Sequence, residues 1–201
     1  GILSLDHSIQ GGLTIDGGEI DFDGGRGYIE KDWGKTFPRA YIWMQSNHFQ
    51  EIGVSLTASV ATIPWLGSWF RGFLIGLKAG GKLYRFTTYL GSEITELTVD
   101  DHQVLWITTG KGVSDPDSEF QAYQLRIIAQ RGSAGLLKSP ELDGMTPRIF
   151  ESLTARLDVT LFGLSPDGTD KEIIFQGTGD CGGLEIAGSI EEIINGSQEQ
   201  E

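Results

Sequence analysis

Along most of this chain apolar residues recur at every second position, and glycines and acidic turn residues separate the runs. That period belongs to strands with one buried face, and a chain built this way has few options besides antiparallel sheet. In "GGLTIDGGEIDFDGG" Leu13 and Ile15 precede a turn at Asp16-Gly17-Gly18, and Ile20 and Phe22 then alternate with acids. "EIGVSLTASVATIPW" sets Val54, Leu56, Ala58 and Val60 against Ser55, Thr57 and Ser59. "FRGFLIGLKAGGKLYRFTTYLG" reads as a hairpin, with Gly80-Gly81 supplying the positive φ of a tight turn.

Downstream, "EITELTVDDHQVLWITTGKG" turns at Asp100-Asp101, and "SEFQAYQLRIIAQRG" keeps the same period. In "RIFESLTARLDVTLFG" Ile149, Leu153, Leu157, Val159 and Leu161 share one parity, interrupted by Glu151. "KEIIFQGTGDCGGLEIAGS" closes the series. Helical signals are confined to "SPELDGM" (139 to 145), a Ser-Pro start suited to one turn, and "SIEEIINGSQEQE" at the end.

The expected class is all-β: roughly nine to eleven strands at intervals of about 8–12 residues, as in an antiparallel barrel or sandwich. The 29 glycines in 201 residues, twice the usual share of roughly 7%, fit many turns and bulges. "GSAGLLKSPELDG" (132 to 144) reads as a long loop between two sheets, which divides the chain into 1–131 and 132–201. The chain has no initiating Met and begins inside a strand-like run, as expected for a piece of something longer.

Charge and composition narrow the partners. A net charge of −13 repels phosphate backbones and argues against nucleic acid. The single cysteine, Cys181, excludes an internal disulfide and suits a reducing setting, cytoplasmic or membrane-peripheral. His7, His48 and His102 have no paired spacing, so no metal centre is expected. No stretch has the length of a membrane-spanning helix.

"GTGDCG" (177 to 182) matches the dinucleotide fingerprint by letter, but another strand follows it where a helix is required, so it reads as a glycine bulge and no cofactor is expected. "SDPDSE" (114 to 119) and "SPDGTDKE" (165 to 172) lack the spacing of a calcium loop and read as solvated turns. "TIPWLGSWFRGFLIGL" (62 to 77) reads either as a membrane-touching loop, through Trp65, Trp69 and Phe70, or as core aromatics at a strand corner.

The stretch richest in chemistry is "GYIEKDWGKTFPRAYIWMQSNHF" (27 to 49). On a regular strand Tyr28, Glu30 and Asp32 point one way, and Ile29, Lys31 and Trp33 the other. After the break at Gly34–Pro38, Tyr41, Trp43, Gln45, Asn47 and Phe49 share one face. If both faces meet inside a barrel, they make an aromatic pocket holding two amides and two carboxyls. A desolvated carboxyl beside a like charge becomes an acid at neutral pH, and π faces stabilise a cation. The opposing reading has Glu30 and Asp32 in solvent, paired with Lys31 or Arg39, over a plain aromatic core.

This stretch resembles the tocopherol cyclase family through Asp32-Trp33-Gly34, Phe37-Pro38 and the aromatic strand ending in Gln45, Asn47 and Phe49; "GTGDCGGLEIAG" is similar to the family's closing segment. The resemblance implies lipocalin-like barrel halves, the first incomplete here, related to carotenoid hydratase-like proteins. It further implies an apolar ligand such as a prenylated quinol or isoprenoid, and chromanol ring closure by acid-catalysed addition of a phenol oxygen to an alkene, without a cofactor.

On that reading Glu30 or Asp32 is the general acid and His48 an outside candidate for the base. Tyr28, Trp33, Tyr41 and Trp43 form the wall, while Gln45 and Asn47 orient the phenol or a water. Asp32 and Trp33 cannot both serve unless the strand is irregular there. The alternative functions are a non-catalytic carrier of a hydrophobic molecule, or a structural domain whose interior is filled with side chains.

Overall fold

The computed structural model describes residues 1–112, 118–165 and 170–196. Strands account for most of it, and their pairings are antiparallel. Near the start lie β1 (Ile2–Ser8), β2 (Gly12–Ile15), β3 (Gly18–Asp21) and β4 (Arg26–Glu30), which pair only as β1 with β4 and β2 with β3. β2 and β3 turn through Asp16 and Gly17, whose φ values of 52° and 82° are those of a type I′ hairpin.

The main sheet begins with β5 (Tyr41–Ser46), the short β6 (His48–Phe49), β7 (Ser55–Trp65), β8 (Ser68–Ala79) and β9 (Lys82–Thr87). After a 3-10 turn at Thr88–Leu90 come β10 (Glu93–Val99), β11 (Gln103–Gly110), β12 (Ala122–Gln130), β13 (Ala134–Glu141), β14 (Gly144–Leu164) and β15 (Lys171–Ala187). Their order across the sheet is β10-β11-β12-β14-β15-β5-β7-β8-β9, with β13 added beside β14 and β6 beside β15. Strands from both sides of residue 131 therefore share one sheet.

Period-two patterning explains how that sheet curls. The inward residues of every strand on the path meet in one cluster, which includes Ile42, Leu56, Ile75, Phe86, Trp106, Ile127 and Leu157, and Ile193 of the short helix α1 (Ile190–Asn195) packs into it. Tyr84 of β9 meets Tyr123 of β12 edge-on at 5.2 Å, and the Arg85 amide donates to the Gly112 carbonyl. The edge strand β9 thus approaches the ends of β11 and β12 without forming a ladder, so the expected barrel is replaced by an open, curled sheet.

Two further expectations are corrected. Residues 132–144 are not a loop, and 139–145 are not a helical turn: β13 pairs with the start of β14 from Ala134 opposite Ser152 to Glu141 opposite Gly144. β13 pairs only with β14, so Pro140, which cannot donate a ladder bond, is tolerated on this edge. The shared parity of Ile149 and Leu157 also misleads. Bulges on either side of Ala155 change the face presented. Ile149 packs with Tyr41, Ala61 and Ala187 on the outer face, while Leu157 is in the core.

The fingerprint-like "GTGDCG" lies inside β15, at a bulge where Cys181 has a φ of 51°. Of the two acidic turn segments, 113–117 and 166–169 lie outside the described residues.

Leu56 has no solvent exposure, so Leu56→Ala should lower the unfolding free energy by about 2–5 kcal/mol. Ile15→Ala, on the exposed β2–β3 hairpin, should change it by less than about 0.5 kcal/mol. Urea denaturation of both variants checks the contrast.

Candidate functional site

Side chains directly opposite in an antiparallel pair project from the same face. The ladders set Glu151 opposite Glu185, Glu185 opposite Trp43, Trp43 opposite Ser59, and Ser59 opposite Leu74. These five residues form a row across β14, β15, β5, β7 and β8. The next row is Ile149, Ala187, Tyr41, Ala61 and Gly72. Because Ile42, Met44, Ala58 and Val60 turn inward, both rows lie on the outer face. The sequence-expected pocket inside a barrel is therefore not formed; packed side chains occupy that space.

A cleft of about 480 Å³ lies over these rows, within the usual range of roughly 300–1,000 Å³ for small-molecule sites. Ser59, Ala61, Ile63 and Leu74 line its sheet side, Tyr41, Trp43 and Glu185 stand over β5 and β15, and Glu30, Asp32, Trp33, Gly34, Thr36, Phe37 and Pro38 make the opposite wall. That wall is possible because β4 ends at Glu30 and the chain runs on irregularly to Ala40. The same irregularity resolves the conflict between Asp32 and Trp33: both reach the cleft.

Glu30 pins the wall to the sheet. Its Oε2 accepts a hydrogen bond from the Tyr28 hydroxyl at 2.6 Å and from Trp43 Nε1 at 2.8 Å. The Tyr28 hydroxyl also lies 3.0 Å from Thr57 Oγ1. The Trp43 indole extends over β15 beside Gly183, where a Cβ would come within 2.8 Å of the ring. Any side chain at that position would displace the indole.

Strand alternation does not by itself single out Glu185. It is half-buried, and its Oε2 accepts from the Tyr41 hydroxyl at 2.6 Å. Burial raises its carboxyl above the ordinary carboxylate value; the Tyr41 hydrogen bond opposes this, and the charges of Glu151 and Glu30 add to it. Burial, with the hydrogen bond to Glu185, likewise pushes the Tyr41 phenol well above its usual value, and burial with Glu30 does the same for Tyr28. The sequence signal for Glu185 is one acid within the apolar run Leu184-Glu185-Ile186-Ala187. Alternation puts it on the outer face, but its partner Tyr41 is 144 residues away.

The remaining expected residues are placed as follows. The Asp32 side chain is 66% exposed and pairs with the Gly1 amino group at 2.8 Å. Trp33 rims the cleft and is 83% exposed. Gln45 and Asn47 are buried outside the cleft lining, and neither amide nitrogen has a hydrogen-bond partner among the described residues. His48 is exposed on β6 opposite Asp180, also outside the lining. Among the described residues no cluster of three or more His, Cys, Asp or Glu could hold a metal.

Two pH dependences follow. Glu185 has an unfolded value near 4.5 and a higher folded one, so its contribution to stability is complete below pH 4.5 and is lost as pH rises through the folded value. Glu185→Gln should therefore gain in melting temperature relative to wild type between pH 4 and pH 7. For Tyr28 and Tyr41 the unfolded value is 10.0 and the folded values are higher. Stability should fall as pH rises above 10, and less steeply in Tyr41→Phe, as urea midpoints across that range would report.

A family model described as tocopherol cyclase-like matches residues 3–188. Over 184 residues the chain is 26% identical to the protein described as "Tocopherol cyclase, chloroplastic" of Zea mays, covering 89% of this chain and 36% of that one. It is 24% identical over 184 residues to "Probable tocopherol cyclase, chloroplastic" of Oryza sativa subsp. japonica, covering 89% of this chain and 37% of that one. The chain thus spans little more than a third of the length of these curated relatives. No solved structure matches it significantly.

Proposed function

Because the chain belongs to the tocopherol cyclase-like family, we propose that its outer-face cleft binds a prenylated quinol or related isoprenoid and closes a chromanol-type ring on it. The observation that carries this reading is the placement of Glu185 in the aromatic-walled cleft, hydrogen-bonded to Tyr41, where burial raises its carboxyl above the ordinary carboxylate value. A neutral carboxylic acid in an apolar site can give up a proton that water-exposed carboxylates have already lost.

In the proposed reaction Glu185 donates its proton to the hydrogen-bearing carbon of a trisubstituted alkene. The π bond's electrons form the new C–H bond, and a tertiary cation remains on the other carbon. A phenol oxygen of the same molecule closes on that cation, forming the C–O bond. The phenol proton passes to the Glu185 carboxylate and restores the acid. The sum is an isomerisation, with nothing oxidised or reduced.

Each neighbouring group has a part in this. The Tyr41 hydroxyl occupies one Glu185 oxygen, which leaves the other to carry the transferred proton. Trp43, Tyr41 and Phe37 line the cleft, and their π faces would stabilise a cation formed there. Glu30 keeps Trp43 oriented through its indole N–H. Asp32 is largely exposed and paired with the Gly1 amino group.

The test pairs native mass spectrometry and lipid extraction with turnover of a prenylated quinol by wild type, Glu185→Gln and Glu30→Gln. A bound isoprenoid is expected, with turnover reduced roughly 10²–10⁴-fold in Glu185→Gln. Glu30→Gln should lose less, because an amide oxygen still accepts from Trp43 Nε1. Bound lipid without turnover in any variant would favour the carrier, and an empty cleft would end both readings.

A further inference from the structure

Ser59, Ala61 and Ile63 lie on the cleft side of β7, and the same face ends at Trp65. Trp65 stands opposite Ser68, so the hairpin turn between β7 and β8 is Trp65-Leu66-Gly67-Ser68. Its central φ values are 47° at Leu66 and 84° at Gly67, two successive positive angles as in a type I′ turn. The same geometry recurs at Asp16-Gly17, with 52° and 82°, and at Gly80-Gly81, with 55° and 73°. Those two turns use the residues that such positions favour, whereas Leu66 forces a branched side chain into the left-handed region.

Nothing within the described chain compensates for that choice. Leu66 is 90% exposed and Trp65 63% exposed. The expected aromatic contact is thus narrower than Trp65, Trp69 and Phe70 together: Trp69 lies half-buried under Arg39, and Phe70 lines an adjoining groove. Charge around the tip is close to balanced. Arg39, over Trp69, pairs with Glu192, and Arg71 donates to the carbonyls of Ile193 and Ile194, so both cations sit against α1, whose first turn carries Glu191 and Glu192. A strained, exposed Trp-Leu tip without a net basic field fits insertion into a neutral lipid interface better than attraction to an anionic one.

We infer that Trp65 and Leu66 anchor the protein at the headgroup–acyl boundary of a lipid bilayer, with the cleft opening beside them along the face that ends at Trp65. Trp33, on the cleft rim, is likewise exposed. The anchor rests on the proposed apolar ligand in one respect: it gives that ligand a route from lipid into the cleft.

Sedimentation with neutral phosphatidylcholine vesicles tests the anchor, using wild type, Leu66→Asn, and a double variant with Trp65→Ser and Leu66→Asn. Wild type should bind with little dependence on salt. Leu66→Asn should weaken vesicle partition by roughly tenfold or more while its melting temperature holds or rises, since Asn-Gly suits the turn. A misfolded variant would lose both, so the opposite signs are diagnostic.

Wild type remaining in the supernatant, Leu66→Asn binding as tightly as wild type, or binding only to anionic vesicles at low salt would each overturn the inference. Self-association abolished by Leu66→Asn, without vesicle binding, would overturn it too and assign the tip to a second copy. Vesicle binding without quinol turnover would sustain the anchor and remove the cyclase; turnover without vesicle binding would do the reverse.

Discussion

The continuous antiparallel ladder through β14, β15, β5 and β7 is the constraint on which the rest depends. Its register places Glu185 between Glu151 and Trp43, and Trp43 beside Ser59. A slip of one residue would send Glu185 and Trp43 into the core and bring Leu184 and Met44 out. The register is held by what lies beneath it, since Ile42, Met44, Leu184 and Leu157 cannot leave the core without exposing large apolar area. The placement of Glu185 beside Tyr41 and Trp43 is therefore a consequence of core packing on the other side of the same strands.

That core also decides where a cleft can form. A curled sheet lined with Trp106, Phe86, Leu56 and Ile127 is filled by its own side chains, as small barrels generally are. The cleft therefore lies on the outer face, where Ala61, Ser59 and Gly72 leave the sheet surface low and the segment from β4 to β5 provides the second wall. One carboxylate, Glu30, ties that wall to the sheet through Tyr28 and Trp43. Aromatic side chains expected in a barrel interior line an external cleft instead, with greater access to solvent.

Much of this is legible in the residues alone. The all-β class, the Asp16-Gly17 and Gly80-Gly81 turns and the short C-terminal helix follow from local period and turn chemistry, which act over a few residues. The grouping of Tyr28 with Glu30, and of Tyr41 with Trp43, follows from strand alternation. What escapes is long-range or arises from broken alternation. Residues 134–141 look like a loop because Gly, Ser and Pro suit loops, yet an edge strand accepts them. Ile149 and Leu157 share a parity that bulges cancel.

By itself, then, the sequence determined strand content, most turn positions, family membership and the set of aromatic and acidic side chains sharing each strand face. These depend on backbone geometry repeating every two residues and on side-chain chemistry. Only the tertiary structure decided that the sheet stays open, that its outer face bears the cleft, and that Glu185 lies beside Tyr41 and Trp43. Those outcomes depend on pairings between residues more than a hundred positions apart and on bulges that reset which face is inward, and local alternation encodes neither.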